Sequence, residues 1–117
     1  MAGWLSTHVL DTARGCPAAG LKLDLYRIAL DAREHLHEAV TNADGRTDKP
    51  ILPEAEFRAG VYELVFHAGP YLTASGVPEE HPRFLDTIPI RFGMSDEVHY
   101  HVPLLLSPFG YSTYRGS

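Results

Sequence analysis

A single cysteine, Cys16, stands among 117 residues, so no disulfide can form within the chain. A small domain without such staples fits a reducing compartment. No basic segment followed by an apolar one occurs between Met1 and Leu10, so no signal peptide is expected there. Long apolar runs are missing too. The longest, Val102 to Leu106, falls far short of the ~20 residues that span a bilayer. The expectation is a soluble, cytoplasmic protein that does not engage a membrane. Basic residues are in deficit, 10 against 15 acidic, for a net charge of −5 with histidine neutral. General nucleic-acid binding relies on basic side chains to neutralise phosphates, so that class of partner is disfavoured. A local basic site for an anionic small molecule stays open. Repeats, low-complexity segments and linkers are also lacking, and residues 1–117 read as one domain.

With 44% apolar and 21% charged residues, the composition is that of an ordinary globular chain rather than a disordered one. The dominant pattern is alternation of period two. Leu21, Leu23 and Leu25 interleave with Lys22, Asp24 and Tyr26. Val61, Glu63 and Val65 interleave with Tyr62, Leu64 and Phe66, as in a strand covered on both sides. Ile88, Ile90 and Phe92 give a short strand, and Val98, Tyr100, Val102, Leu104 and Leu106 the longest one. Weaker strands are expected at Trp4 to Leu10, Glu34 to Thr41 and Tyr111 to Arg115. Turn chemistry separates them at Arg14-Gly15-Cys16-Pro17, Asn42-Ala43-Asp44-Gly45 and Ser107-Pro108-Phe109-Gly110. Tyr71 to Ser75 reads as a helical turn inside the least regular stretch, Gly69 to Thr87. Together these predict an all-β, antiparallel sandwich with one short helix. Pro103 has no backbone donor, so it predicts an edge, a bulge or a break in the ladder just after two histidines.

Those histidines, His99 and His101, lie two apart on a strand and therefore share a face, opposite Val98, Tyr100 and Val102. An arbitrary His-x-His is more often part of a polar outer face. A zinc site with His8 as a third ligand is the sharper alternative, although no cysteine pair or HExxH motif accompanies it. His8 shares a face with Ser6 and Leu10, while Leu5, Thr7 and Val9 share the other. Arg46 follows the Asp44-Gly45 turn, where an arginine is usually just solvated, and Tyr114-Arg115-Gly116-Ser117 would ordinarily be a frayed tail.

Taken together, Leu5-Ser6-Thr7-His8-Val9-Leu10-Asp11, Gly45-Arg46-Thr47, His99-Tyr100-His101-Val102-Pro103-Leu104-Leu105-Leu106-Ser107-Pro108 and Tyr114-Arg115-Gly116-Ser117 resemble the signatures of the transthyretin-like 5-hydroxyisourate hydrolases. The resemblance runs the whole length, in order. It implies the transthyretin-like sandwich, hydrolysis of 5-hydroxyisourate without metal or organic cofactor, and a homotetramer whose sites draw on more than one chain. The family's catalytic histidine matches His101, with His99 as a neighbour. It further implies acid/base work by His101 and His8, charge stabilisation by Arg46, and substrate positioning by Tyr114 and Ser117 with the terminal carboxylate. The family also contains a carrier branch, the thyroid-hormone-binding transthyretins, so the fold alone does not choose between enzyme and carrier. The hydrolase-type residues at His8, Arg46 and His101 favour the enzyme.

Overall fold

The computed structural model of the chain describes residues 3–116. Eight strands and one helix follow in chain order: β1 (Trp4–Asp11), β2 (Cys16–Pro17), β3 (Lys22–Ala29), β4 (Ala32–Val40), β5 (Gly60–His67), α1 (Ala68–Ala74), β6 (Thr87–Met94), β7 (His99–Ser107) and β8 (Gly110–Thr113). They form two four-stranded sheets, ordered β2-β1-β7-β8 and β4-β3-β5-β6. The expected all-β sandwich with one short helix is the observed architecture. One pairing departs from the antiparallel rule: β1 runs parallel to β7 over eight residue pairs, from Trp4↔His99 to Asp11↔Leu106. The whole second sheet lies between these two strands in sequence, and a connection that long lets them run in one direction.

Period-two patterning explains the layers. In β1 the burial alternates strictly, with Leu5, Thr7, Val9 and Asp11 inside and Trp4, Ser6, His8 and Leu10 on the other face. Leu5 and Val9 meet Leu23, Leu25, Leu64, Phe66, Leu104 and Leu106 in the inter-sheet core, all with no exposed surface. Thr7 is the polar member of that inner set, and its hydroxyl donates to the Val102 carbonyl at 2.7 Å, tying β1 to β7 from the core side. In β5 every residue from Tyr62 to Phe66 is buried, which is the two-sided cover that its pattern predicts. On the outer side Glu63 accepts from Arg91 of the adjacent β6 at 3.0 Å and from Arg33 of β4, beyond β3, at 3.2 Å, so the buried carboxylate is paired from both directions.

Pro103 marks a break, one of the three outcomes its missing donor allows. The β7–β8 ladder ends at Leu104↔Thr113. The Pro103 carbonyl accepts from the Thr113 hydroxyl at 2.7 Å, so the side of Pro103 that lacks a donor faces the end of β8. Pairing then returns once, at an isolated bridge between His101 and Gly116. The free edge of β1 is covered piecemeal: β2 pairs with its end, and isolated bridges join His8 to Arg46 and Leu5 to Leu52.

Gly45 is required where Arg46 joins β1. Its φ is +77°, and a Cβ there would lie 2.3 Å from the Val9 carbonyl oxygen, a backbone atom with no room to retreat. Gly45→Ala should therefore cost about 1–3 kcal/mol of stability and lower the melting temperature by several degrees. A thermal melt of that variant matching the unsubstituted protein would contradict the turn geometry.

Candidate active site

Register brings the polar face of β1 against the polar face of β7. Trp4 pairs with His99, Ser6 with His101 and His8 with Pro103. The Ser6 Oγ lies 2.6 Å from His99 Nε2 and 2.8 Å from His101 Nδ1, so one hydroxyl joins both imidazoles. The His99 ring stacks flat on the Trp4 indole, with centroids 3.5 Å apart and planes 3° from parallel. His8 and His101 lie 6.5 Å apart between ring centroids.

The turn from Asn42 to Arg46 supplies the next side. Asn42 Oδ1 accepts from the backbone N–H of Asp44 at 2.9 Å and of Arg46 at 3.2 Å. The Asn42 N–H donates to the Arg46 carbonyl at 2.7 Å, and the Val9 N–H to the Gly45 carbonyl at 2.8 Å. Asn42 thus holds the turn closed, and the turn is bonded to β1. The Asp44 carbonyl then lies 2.8 Å from His8 Nε2. A carbonyl only accepts, so Nε2 carries the hydrogen and Nδ1 is the nitrogen of neutral His8 left free. The Arg46 side chain is exposed and forms no salt bridge among the described residues, which leaves its guanidinium available to an anion.

An open cleft of about 540 Å³ lies over this face, lined by Trp4, Ser6, Arg46, Lys49, His99 and His101 among others. His8 stands just outside that lining. Burial first, then the positive charge of Arg46 and the neighbouring His99 and His8, hold His101 below the ordinary histidine pKa. Burial does the same for His99. Both rings are therefore neutral at pH 7 and able to accept a proton.

Of the five residues expected at the site, His8, Arg46 and His101 come together in one chain. Tyr114 does not join them there: it is exposed and faces a smaller hollow with Ile90, Phe92 and Tyr100. The break after β8 turns this segment toward the core side of the sheet, where Arg115 stacks over Tyr100 at 4.4 Å. Gly116 comes back to the histidines, donating its N–H to the His101 carbonyl at 2.7 Å. A Cβ on Gly116 would sit 2.7 Å from His101 Cδ2, so the ring packs on a position that only glycine fills. Ser117 lies outside the described residues. Sequence reasoning missed Trp4, Lys49 and the bonding of Ser6. The signal for the first and last was present, since Trp4 and Ser6 share the His8 face of β1 by alternation.

A metal ligand set of His8, His99 and His101 is not what the donor atoms form. Among the described residues, the group whose donors lie within 4.8 Å of one another is Asp24, His35 and Glu38, in the other sheet. Asp24 there accepts from His35 at 2.8 Å and His67 at 2.7 Å. Burial pushes its carboxyl up, but those hydrogen bonds outweigh burial and hold it below the usual carboxylate range.

Residues 5–116 match the model of the HIUase/Transthyretin family. A 5-hydroxyisourate hydrolase of Mesorhizobium japonicum is 64% identical over 115 residues, covering 98% of this chain and 93% of that one. Among solved structures, an (S)-allantoin synthase superposes with a TM-score of 0.91 at 45% identity, over 98% of this chain but only 44% of that longer one. Sea bream transthyretin in complex with thyroxine superposes at 0.85 with 30% identity, covering 96% of this chain and 93% of that one.

Depression of the His101 pKa has a direct consequence. Followed by NMR in the free protein, His101 should lose its proton with a midpoint below 6.5, the ordinary histidine value, and so be mostly neutral at pH 7. Arg46→Gln removes a cation that favours the neutral ring, so the midpoint should move upward, toward 6.5. A midpoint above 6.5, or one unmoved by the substitution, would mean that this ring is neither buried nor beside Arg46 as described.

Proposed function

This chain belongs to the HIUase/transthyretin family, and we propose that it hydrolyses 5-hydroxyisourate to 2-oxo-4-hydroxy-4-carboxy-5-ureidoimidazoline, a step of urate breakdown. The hydrolase name of the 64% identical relative from Mesorhizobium japonicum carries this reading, and the histidine cluster beside an exposed arginine supplies chemistry that suits it. A carrier needs a complementary cavity. It has no use for a histidine held neutral and bonded to a hydroxyl.

Opening a cyclic amide requires an activated water, stabilisation of the oxyanion at the attacked carbonyl, and a proton for the departing nitrogen. His101 acts as the base. Its Nδ1 is engaged by Ser6, which leaves Nε2 for the water; the depressed pKa keeps the ring neutral, and Nε2 is the bare nitrogen when Nδ1 donates to Ser6. As hydroxide adds to the ring carbonyl, the Arg46 guanidinium faces the developing oxyanion, being permanently cationic with a planar set of donors. The C–N bond then breaks, and the proton returns from His101 to the leaving nitrogen. His8, whose Nε2 is committed to the Asp44 carbonyl, contributes Nδ1 to substrate binding and to the proton transfer. No metal or organic cofactor enters any of these steps.

Tyr114 and Ser117 complete the site from a neighbouring subunit in a homotetramer. The open cleft supports this, because Arg46 faces solvent in the single chain and a second sheet face laid over it would exclude water from the reacting atoms. The enzyme belongs in the cytoplasm, as the single cysteine suits.

The test is to generate 5-hydroxyisourate with urate oxidase and follow its decay with and without this protein. Decay should accelerate, and His101→Asn should slow turnover by about 10²–10⁴-fold, the usual contribution of acid/base catalysis. His99→Asn should cost much less. Decay unaffected by the protein, alongside tight binding of a small aromatic ligand, would favour the carrier instead.

A further inference from the structure

The Ser6 hydroxyl sits between two imidazoles, and hydrogen counting makes that arrangement more than a tether. We propose that His99 and Ser6 form a proton relay behind His101, which lets His101 switch tautomer between accepting the proton of water and returning it to the leaving nitrogen. The inference rests on His101 as the base of the hydrolase reaction.

Two gaps must each hold one hydrogen: His99 Nε2 to Ser6 Oγ at 2.6 Å, and Ser6 Oγ to His101 Nδ1 at 2.8 Å. The hydroxyl has one hydrogen and fills one gap. A neutral imidazole also has one, so a single ring must fill the other. Two arrangements satisfy both bonds. In one, His101 donates from Nδ1 to Ser6, Ser6 donates to His99 Nε2, and His101 Nε2 carries a bare lone pair facing outward. In the other, His99 donates from Nε2, Ser6 donates to His101 Nδ1, and His101 carries its hydrogen on Nε2. The first is the base and the second is a neutral acid. A proton taken up at His101 Nε2, with both bridging hydrogens shifted by one place, turns the first bonding pattern into the second and leaves His99 as the imidazolium.

The relay balances through a turnover. His101 Nε2 takes a proton from water and becomes imidazolium. Its Nδ1 hydrogen then moves to Ser6 Oγ, and the Ser6 hydrogen moves to His99 Nε2. His101 is now neutral with hydrogen on Nε2, His99 carries the charge, and hydroxide has added to the substrate. When the C–N bond breaks, the Nε2 hydrogen of His101 passes to the leaving nitrogen. The relay runs in reverse, returning a hydrogen to Nδ1, and every group regains its starting state. No proton is gained or lost beyond that of the consumed water.

Geometry gives His99 the means to serve. Trp4 stacks on its ring at 3.5 Å and fixes the plane that aims Nε2 at Ser6. The two imidazoles lie 6.1 Å apart between centroids, too far for a direct bond, so the hydroxyl is the one group that connects them. Moving the positive charge onto His99 also takes it two residue pairs further along the parallel ladder from His8 and Arg46, from the Ser6↔His101 pair to the Trp4↔His99 pair. Ser6 and His99 are positioning residues in this scheme, since they act through His101.

The experiment measures kcat, KM and the solvent isotope dependence of kcat in mixtures of light and heavy water, for the full chain and its variants. Ser6→Ala and His99→Phe should each lower kcat by about 10–100-fold with KM little changed, the usual loss when a hydrogen-bond partner that orients a working histidine is removed. The double variant should be no slower than either single one, because a relay broken once is broken. Ser6→Thr should restore most of the rate. Rate against heavy-water fraction should be curved for the unsubstituted protein, as several protons move together, and straight for Ser6→Ala. Additive losses, a threonine variant as slow as the alanine one, or a straight dependence in the unsubstituted protein would overturn the relay. His101→Asn in the same assay separates the two levels. If it keeps full activity, the choice of base is wrong; if it is inactive while Ser6→Ala is fully active, only the relay fails.

Discussion

The parallel pairing of β1 with β7 is the constraint on which the site depends. Ser6 is separated from His99 by 93 residues and from His101 by 95, yet the ladder sets them side by side with hydrogen-bond contacts under 3 Å. Register is decisive, because side chains alternate with period two. A slip by one residue would send Ser6 and His8 into the core and Leu5 and Val9 to solvent. The core prevents that slip. Leu5, Val9, Leu104 and Leu106 are fully buried, and each side chain of that size withdrawn from water contributes on the order of 2 kcal/mol. Exposing four of them costs far more than any polar contact on the other face could return. The hydrophobic side of the sheet therefore aligns the side that carries Ser6 and the histidines.

Around that ladder, interruptions of regular structure do the remaining positioning. Pro103 cannot donate toward β8, the ladder stops, and the chain swings out through Tyr114 and Arg115 before Gly116 returns to His101. Glycine is needed at the return because the His101 ring lies against its α-carbon. At the other end, Asn42 closes the turn that lays Arg46 along β1, with Gly45 adopting a left-handed conformation against the Val9 carbonyl. Both devices bring a residue, Gly116 or Arg46, back to the edge of a rigid strand without asking a long loop to hold it.

The sequence made one half of this legible. Alternation assigned His8, His99 and His101 to the non-core faces of their strands, and the structure keeps all three there. The short helix, the two-sided cover of β5 and the break at Pro103 were readable for the same local reasons. What alternation does not encode is which strand lies next to which. A face is a property of one strand, whereas a neighbour depends on the path of the whole chain, and so the parallel direction of β1 and β7 was hidden. With it went the bridging role of Ser6, which looks like any polar residue until two histidines are set beside it. Tyr114 shows the same limit from the other side. Its motif points to the site, yet the strand break directs it within its own chain toward Ile90 and Phe92.

The separation of core from chemistry also accounts for how one sandwich can serve both a carrier and a hydrolase. The residues that make the β1–β7 pairing obligatory, Leu5, Thr7, Val9, Val102, Leu104 and Leu106, all lie on the inner face. Substitutions on the outer face leave that ladder intact, so Ser6, His8, His99 and His101 are free to be exchanged without endangering the fold. Arg46 is freer still, being exposed on a turn whose geometry is set by Asn42 and Gly45 rather than by its own side chain. Histidine on this face is also electrostatically self-consistent. Burial holds the pKa of His99 and His101 down, with Arg46 adding to the effect at His101, so these rings impose little charge on the sheet at neutral pH. A face built that way gains reactivity without the cost of a permanently buried charge.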